Sequence, residues 1–403
     1  MGTRRIVVVR ASVFAALFLL MGRGAPVYAQ HVNSLSATVD LAGGLDSNPG
    51  GNVIGTTSQA NGFYSVYPML SLNSRTARSS LNLAYAFGWN QFVSELPSNS
   101  TTHTVNLSWS REFSPRWDIS LGESYSQSND LQTFYALRGI EVLEEDVVFY
   151  FSPIATDQTV RTNSLNFSVN HVISPRSSLS LYANHSMGLY EDTSAGTGLS
   201  NQHTASGGLT YSRRISDRTS WQVGYTASRF GFDRFSGAIS SAINVGMTHL
   251  VAKDMSLSLS VGPSHLKHAG GDGSNIGYSA SASLSKAIER NSFHATYSQD
   301  HAMTTGLGSV SRGRRVSVGF SRTFNRRVNA FTDVSAFEGQ ALIGEPFDSR
   351  GMSATGNVGI TLARNLSLHG GVQFQRYTEP APYAVTQKRV FASLRYSHPD
   401  LLR

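Results

Sequence analysis

The stretch Leu81-Asn82-Leu83-Ala84-Tyr85-Ala86-Phe87-Gly88-Trp89 decides the fold class. Every second residue from Leu81 to Trp89 is large and apolar, whereas the residues between them are small or polar. A period of two places alternate side chains on opposite faces of an extended chain. The stretch is therefore predicted to be a β-strand with one apolar face and one polar face.

The same alternation recurs along most of the chain. Further apolar rows are Val105-Leu107-Trp109, Leu165-Phe167-Val169, Trp221-Val223-Tyr225, Met255-Leu257-Leu259-Val261 and Val390-Ala392-Leu394-Tyr396. After residue 30 no apolar stripe with the 3.6-residue period of a helix reaches helical length. The pattern therefore predicts an all-β protein.

Tight turns separate the predicted strands in pairs. The turns include Ser114-Pro115-Arg116, Ser174-Pro175-Arg176, Ser216-Asp217-Arg218 and Asn325-Arg326-Arg327. Such residues favour turns of about three residues. Longer stretches rich in Gly, Ser, Asn and Thr lie between the turns, for example Lys267–Asn275 and Gly339–Arg350, and are predicted to be loops.

The tight turns recur about every 40 residues along most of the chain. A repeat of this length also occurs in β-propellers, but a propeller blade packs four short strands into each repeat. Here each repeat holds two strands, longer than the ~5–6 residues of an average strand and near the ~9–11 that cross a bilayer at a tilt. We therefore predict a transmembrane, antiparallel, up-and-down β-barrel of about 18 strands, with 16 as the alternative, short periplasmic turns and long outer loops. A soluble β-sandwich is the competing fold.

The first 29 residues have the features of a secretory signal peptide. Arg4 and Arg5 precede an apolar core, Ala11–Met21, and Val27-Tyr28-Ala29 supplies a small-residue cleavage site. A transmembrane anchor is the alternative, but the core is shorter than the ~20 residues that a helical span needs. We therefore predict a signal peptide at 1–29, a single barrel domain at 30–403, and location in the outer membrane of a Gram-negative-type bacterium.

The composition excludes several kinds of site. The chain has no cysteine, which excludes zinc ribbons, iron–sulfur clusters and cysteine catalysis. Loss of the four arginines in the leader would leave 29 basic and 26 acidic residues, a net charge of +3. That charge does not favour nucleic acid as a partner. Although there are 12 histidines, none accompanies a nucleophile or metal-binding motif, so we expect no catalytic residue, metal or cofactor.

The polar faces suggest an aqueous lumen, because a barrel of 16 to 18 strands is wide enough for a channel. The candidate constriction is the long connection 129–160. Its acidic residues would form a ring that attracts cations, opposite arginines predicted to face the lumen. The acids are Asp130, Glu141, Glu144, Glu145, Asp146 and Asp157, and the arginines are Arg161, Arg229 and Arg234. In the alternative interpretation this connection is a solvated outer loop that never enters the pore.

Aromatic residues near the tight turns and the C-terminus suit the lower interfacial girdle of such a barrel. They are Phe113, Trp117, Trp221, Phe320, Phe324 and Tyr396. Glu123 does not fit, since it falls on the apolar row of its strand, and we expect a bulge or a register shift there.

Three short motifs resemble a known family. They are Gly44-Leu45-Asp46-Ser47-Asn48, Tyr67-Pro68-Met69-Leu70, and the repeated Ser-Pro-Arg turn followed by Leu-Ser-Leu. Together they resemble β-barrel porins of Gram-negative outer membranes, including members associated with exopolysaccharide export loci. The resemblance implies an outer-membrane barrel and carries over no catalytic residue. One departure is that Ser397–Arg403 follows Tyr396, where outer-membrane barrels commonly end on an aromatic residue.

The sequence therefore favours a porin-like channel that passes small hydrophilic solutes or saccharides. A barrel component or scaffold of an exopolysaccharide export system, and an outer-membrane hydrolase, are the alternatives from other functional classes. The expected partners are outer-membrane lipid, the solute or polysaccharide, and further copies of the same chain in a homo-oligomer.

Overall fold

The computed structural model describes residues 32–48, 60–93, 99–129, 159–191, 200–234, 236–270, 273–304, 309–343, 348–378 and 384–402. These residues form eighteen β-strands. In chain order the strands are β1 (Val32–Asp46), β2 (Asn61–Arg75), β3 (Ser79–Phe92), β4 (Ser100–Ser114), β5 (Trp117–Ser128), β6 (Val160–Ser174), β7 (Ser177–Tyr190), β8 (Gln202–Arg214), β9 (Thr219–Phe232), β10 (Ala238–Ala252), β11 (Met255–His268), β12 (Ser274–Ile288), β13 (Asn291–Thr304), β14 (Ser309–Thr323), β15 (Val328–Ile343), β16 (Asp348–Ala363), β17 (Leu366–Thr378) and β18 (Ala384–His398).

Each strand pairs antiparallel with its neighbours in sequence, and β1 also pairs with β18, so the sheet closes on itself. The closed up-and-down barrel confirms the predicted all-β fold and the count of 18 strands. The described residues include no helix long and apolar enough to cross a membrane.

The tight turns lie at one end of the barrel, and connections of two to four residues form them. In three of the predicted turns the serine hydroxyl accepts a hydrogen bond at 3.3 Å from the backbone N–H of the arginine two residues later. In the turn at Asn325, the side-chain Oδ1 accepts from the N–H groups of Arg327 and Val328 at 2.8 and 2.9 Å. These side chains replace the partners that the backbone loses where the chain reverses.

The opposite end differs from the sequence prediction in the C-terminal half. The stretches Lys267–Asn275 and Gly339–Arg350 were predicted to be loops, but strand structure extends into both from each side. Only residues 269–273 and 344–347 remain as connections. Glycine, serine and asparagine weaken a strand by composition, yet the ladder hydrogen bonds here use the backbone and do not depend on those side chains.

The register extends the alternation of each strand around the whole barrel. Leu83 pairs with Leu107, and Leu121 pairs with Phe167, so apolar residues lie beside apolar residues on one face. The other face holds hydroxyl pairs that hydrogen bond across adjacent strands at 2.6–2.8 Å, including Ser80 with Ser110, Thr102 with Ser128, Ser120 with Ser168, Ser256 with Ser285, Ser292 with Ser321 and Ser335 with Ser353.

Contacts between strands that are not neighbours identify the concave face. Ser279 of β12 hydrogen bonds to Asn244 of β10, across the intervening strand β11. Both residues belong to the polar face. Side chains converge in this way on the inside of a barrel, so the polar face lines the interior and the apolar face is outside.

Glu123 lies on the outer face without the bulge that the sequence analysis expected. It pairs in regular register with Leu107 on one side and Leu165 on the other. Its Oε1 accepts a hydrogen bond of 2.9 Å from Nδ2 of Asn163, also on the outer face. The carboxylate is therefore accommodated by a polar neighbour and not by a change of register.

Two ion pairs cross the seam where the first and last strands meet. On the inner face, Arg395 of β18 donates two hydrogen bonds to Asp40 of β1, at 2.7 and 3.0 Å. Near the end of β1, Arg389 pairs with Asp46, and the side chains of the two residues are only 2% and 0% exposed. Gln387 adds a further hydrogen bond to Asp46 at 2.8 Å.

The Gly44–Asn48 motif forms part of the same closure. Ser47 and Lys388 exchange hydrogen bonds, because the N–H of Ser47 donates to the carbonyl of Lys388 and the N–H of Lys388 donates to the Ser47 hydroxyl, each at 2.8 Å. A β-carbon on Gly44 would meet the carbonyl oxygen of Val390 at 2.1 Å. Only glycine permits this close approach of β1 to β18.

We predict that Asp46→Ala destabilises the barrel by about 3–5 kcal/mol, because it leaves the Arg389 guanidinium buried without its carboxylate. Chemical unfolding in detergent, followed by tryptophan fluorescence, measures the change. The matched control is Asp46→Leu/Arg389→Met, which removes both charges and should recover most of the stability. Stability of Asp46→Ala equal to that of the parent would contradict the role of the ion pair.

Candidate functional site

One hairpin of the barrel leaves the wall. β13 and β14 pair along their length, from Asn291 with Arg322 to Thr304 with Ser309. The pairing of β13 with its other neighbour, β12, reaches only Gln299, which pairs with Ala280. The far end of the β13–β14 hairpin is therefore separated from β12.

The separated end packs against the inside of the barrel. Val310 is fully buried in a cluster with Phe230, Phe232, Ala238 and Leu266. Those four residues belong to the inner faces of β9, β10 and β11. The hairpin end is therefore folded into the lumen and held there by an apolar contact, with Leu342 and Ile343 packed against the same cluster.

Polar contacts reinforce this position. The Ser240 hydroxyl, on the inner face of β10, hydrogen bonds to Nδ1 of His301 at 2.9 Å. Arg312 Nη2 donates to Oδ1 of Asn275, on the inner face of β12, at 3.0 Å. Both contacts join the hairpin to strands with which it shares no ladder in this region, so they fix where the hairpin lies.

The other face of the hairpin is directed at the interior of the barrel. Asp300 follows Gln299 and alternates with His301, so its side chain points away from the wall that His301 contacts. Asp300 is exposed, and it interacts electrostatically with Tyr182 of β7. The hairpin therefore extends an acidic group toward the opposite part of the barrel.

Opposite charges also pair at three places on the described inner face. Besides the two ion pairs at the seam, His294 Nε2 lies 3.5 Å from a carboxylate oxygen of Asp333. A second apolar cluster, Phe63, Phe92 and Phe391, lies beside the Asp46–Arg389 pair, with the guanidinium of Arg389 5.4 Å from the centre of the Phe63 ring. Among the described residues, no group of three His, Asp or Glu side chains is placed to hold a metal ion.

The predicted constriction falls outside the described residues, because Asp130, Glu141, Glu144, Glu145, Asp146 and Asp157 all lie within 130–158. Of the arginines predicted to oppose those acids, Arg161 shares its face with Leu165, and Arg229 shares its face with Tyr225. Both therefore lie on the apolar outer face, which corrects the prediction that they face the lumen. Arg234 is exposed in the connection that follows β9.

The six predicted aromatic residues all lie near the tight-turn end. Five of them are strand residues on the apolar face, and Phe324 lies in the connection that follows β14. Trp117 stacks on His171 with ring centres 4.0 Å apart, and Trp221 meets Tyr211 edge to face at 5.7 Å. Guanidinium groups lie over two of the phenylalanines, Arg111 over Phe113 at 5.1 Å and Arg322 over Phe324 at 5.0 Å. The ends of the strands thus combine aromatic and basic side chains.

Sequence reasoning missed the inward hairpin. Val310 is apolar among polar residues at the start of β14, but the residues that bury it lie on other strands and are distant in sequence. The faces of Arg161 and Arg229 could have been predicted, because each lies an even number of positions from an apolar residue of its own strand.

No family model and no curated protein sequence matches the chain. Solved structures similar to it include OccAB4 of Acinetobacter baumannii, with a TM-score of 0.47 and 9% identity over 92% of this chain and 99% of that chain. OccK2 of Pseudomonas aeruginosa, in complex with glucuronate, has a TM-score of 0.48 and 12% identity over 91% and 98%. The outer membrane protein OpdK of Pseudomonas aeruginosa has a TM-score of 0.45 and 12% identity over 90% and 99%. At these identities the similarity concerns the fold alone.

Proposed function

We propose that the protein is a porin-like channel of the outer membrane that passes small hydrophilic solutes or saccharides. The observation on which this proposal depends is the two-faced register, which puts an apolar surface outside a closed barrel and a polar surface inside it. An exposed apolar surface of this extent is a liability in water and is suited to lipid. The proposal includes removal of the signal peptide 1–29 and insertion of the barrel domain 30–403.

The dimensions of the strands support a membrane location. The apolar outer band of a transmembrane barrel is about 25 Å tall, which about 9–11 tilted residues span. The described strands are 12 to 16 residues long, so each can cross such a band with residues to spare at both ends. The six aromatic residues near the tight turns and the C-terminus would then form the girdle at the periplasmic interface.

The inner surface supports passage of polar solutes. Serine, threonine and asparagine line it, and their hydroxyl and amide groups exchange hydrogen bonds readily with water or with a sugar. The β13–β14 hairpin narrows the lumen and presents Asp300 to it, so we propose that this hairpin forms a constriction. The acidic connection 129–160 stays a predicted constriction as well.

We predict that the purified protein produces discrete conductance steps in planar bilayers and admits uncharged sugars into liposomes, because the inner surface of the closed barrel is polar. Single-channel recording and liposome swelling measure the two activities. Heat-denatured protein at the same concentration is the control. Absence of conductance across voltages and salt concentrations, for protein that keeps its barrel fold, would contradict the proposed function.

We predict that Val310→Asp enlarges the channel, because a carboxylate cannot be buried without a partner among Phe230, Ala238 and Leu266. The hairpin should leave the wall of the lumen, so single-channel conductance and the largest polyethylene glycol that enters the pore should both increase.

The matched control is Ser317→Asp. Ser317 lies on the inner face of β14, closer to the tight turns than the end of the hairpin that packs on the wall. It adds the same charge to the lumen without disturbing the apolar cluster, so it should change ion preference and leave the size limit unchanged. If the two variants share one size limit, the hairpin is not the constriction.

A further inference from the structure

Basic residues collect on the outer face of the barrel, at the end opposite the tight turns. Seven of them share the face of the apolar rows, are exposed, and lie nine to thirteen residues from the tight-turn end of their strands, namely Arg161, Arg229, Lys267, Arg314, Arg350, Arg376 and Lys388. This distance matches the ~9–11 residues that cross the hydrocarbon of a bilayer.

Four of the seven form a continuous patch on adjacent strands, and we call Arg314, Arg350, Arg376 and Lys388 the basic patch. Arg314 pairs in register with Glu338, and Glu338 pairs with Arg350. Arg376 pairs with Met352, the outward neighbour of Arg350 two positions along β16. Lys388 stands in the same diagonal relation to Arg376 across β17 and β18. Diagonal neighbours of this kind lie within reach of one another's long side chains.

The patch has an excess of positive charge. Two carboxylates lie beside it. Glu338 contacts Arg350 at 2.9 Å and Arg314 at 3.8 Å, and Asp348 is exposed two positions from Arg350 on the same face of β16. Among the described residues neither Arg376 nor Lys388 has an ion-pair partner. With four basic groups and these two carboxylates, the patch and its neighbours have a net charge of +2. Like charges held this close repel each other unless an anion lies between them.

The surface below the patch is apolar and exposed. Toward the tight turns, the same rows continue with Val316, Met352, Val372 and Val390, whose exposed fractions are 44–55%. A ligand that covers both parts needs an anionic head and an apolar tail. A lipid with a phosphorylated headgroup has both, because phosphate oxygens accept paired hydrogen bonds from guanidinium groups and acyl chains cover the valines and Met352.

We propose that the basic patch binds an anionic lipid whose headgroup has two separated phosphates. The four basic residues extend from β14 to β18, a width of about 19 Å at the usual strand spacing of ~4.8 Å. One phosphate reaches at most one pair of these side chains, whereas two phosphates engage Arg314 with Arg350 and Arg376 with Lys388 together. The position of the patch at a bilayer surface rests on the proposed membrane function.

The test compares two triple variants of the full barrel in detergent. Arg350→Gln/Arg376→Gln/Lys388→Gln removes three charges of the patch. The control, Arg213→Gln/Lys286→Gln/Arg322→Gln, removes three charges from the same outer face at the tight-turn end. Native mass spectrometry measures binding of three probes, which are bisphosphorylated lipid A, monophosphorylated lipid A and phosphatidylglycerol.

We expect the parent to bind the bisphosphorylated probe most tightly, the patch variant to lose at least about tenfold in affinity for it, and the control variant to keep its affinity within about twofold. Equal losses in both triple variants, or equal affinity of the parent for the bisphosphorylated probe and phosphatidylglycerol, would overturn the inference.

This outcome is separable from the proposed function. Because binding is measured in detergent without ion flow, a protein that binds the probe but never conducts would contradict the channel and leave the lipid site standing. A protein that conducts normally but binds all three probes equally would contradict the lipid site alone.

Discussion

Closure of the sheet is the constraint on which the rest of the structure depends. An open sheet of eighteen strands would leave two rows of backbone N–H and C=O groups without partners, a cost that no segment can bear inside a bilayer. Pairing of β1 with β18 removes both edges, and it is the pairing with the longest separation in sequence. The Asp40–Arg395 and Asp46–Arg389 ion pairs lie across this seam, where no short turn holds the two strands together.

Closure also gives the two faces their different environments. In a flat sheet the apolar face and the polar face would be exposed to the same surroundings. In the barrel the apolar face is on the outside and the polar face encloses a space. The inner space is occupied in part by the β13–β14 hairpin, which gives up ladder bonds to β12 beyond Gln299 and gains the contact of Val310 with Phe230 and Leu266. The strands that form the outer wall stay paired, and the hairpin that separates from its neighbour folds into the lumen.

The sequence predicts what depends on neighbours along the chain. Alternation in stretches such as Leu81–Trp89 predicts the strands, and turns such as Ser174-Pro175-Arg176 predict that consecutive strands pair. The predicted fold class and strand count were therefore both correct. The inward hairpin could not be predicted in this way, because Val310 meets Phe230 through the closed geometry of the barrel and not through any local pattern. The Gly44–Asn48 motif carries the family resemblance in the sequence, but its contacts with Gln387 and Lys388 form only when β1 and β18 pair.

The most direct test determines which face meets lipid. Because the chain has no cysteine, an introduced cysteine is the single thiol that can react. Single cysteines are placed at Asn82 and Ser108 on the inner face, and at Leu83 and Leu107 on the outer face. The protein is reconstituted in lipid vesicles and treated with a charged, membrane-impermeant thiol reagent. We predict rapid labelling at Asn82 and Ser108 and protection at Leu83 and Leu107. Labelling at the two leucine positions, or protection at the two polar ones, would contradict it.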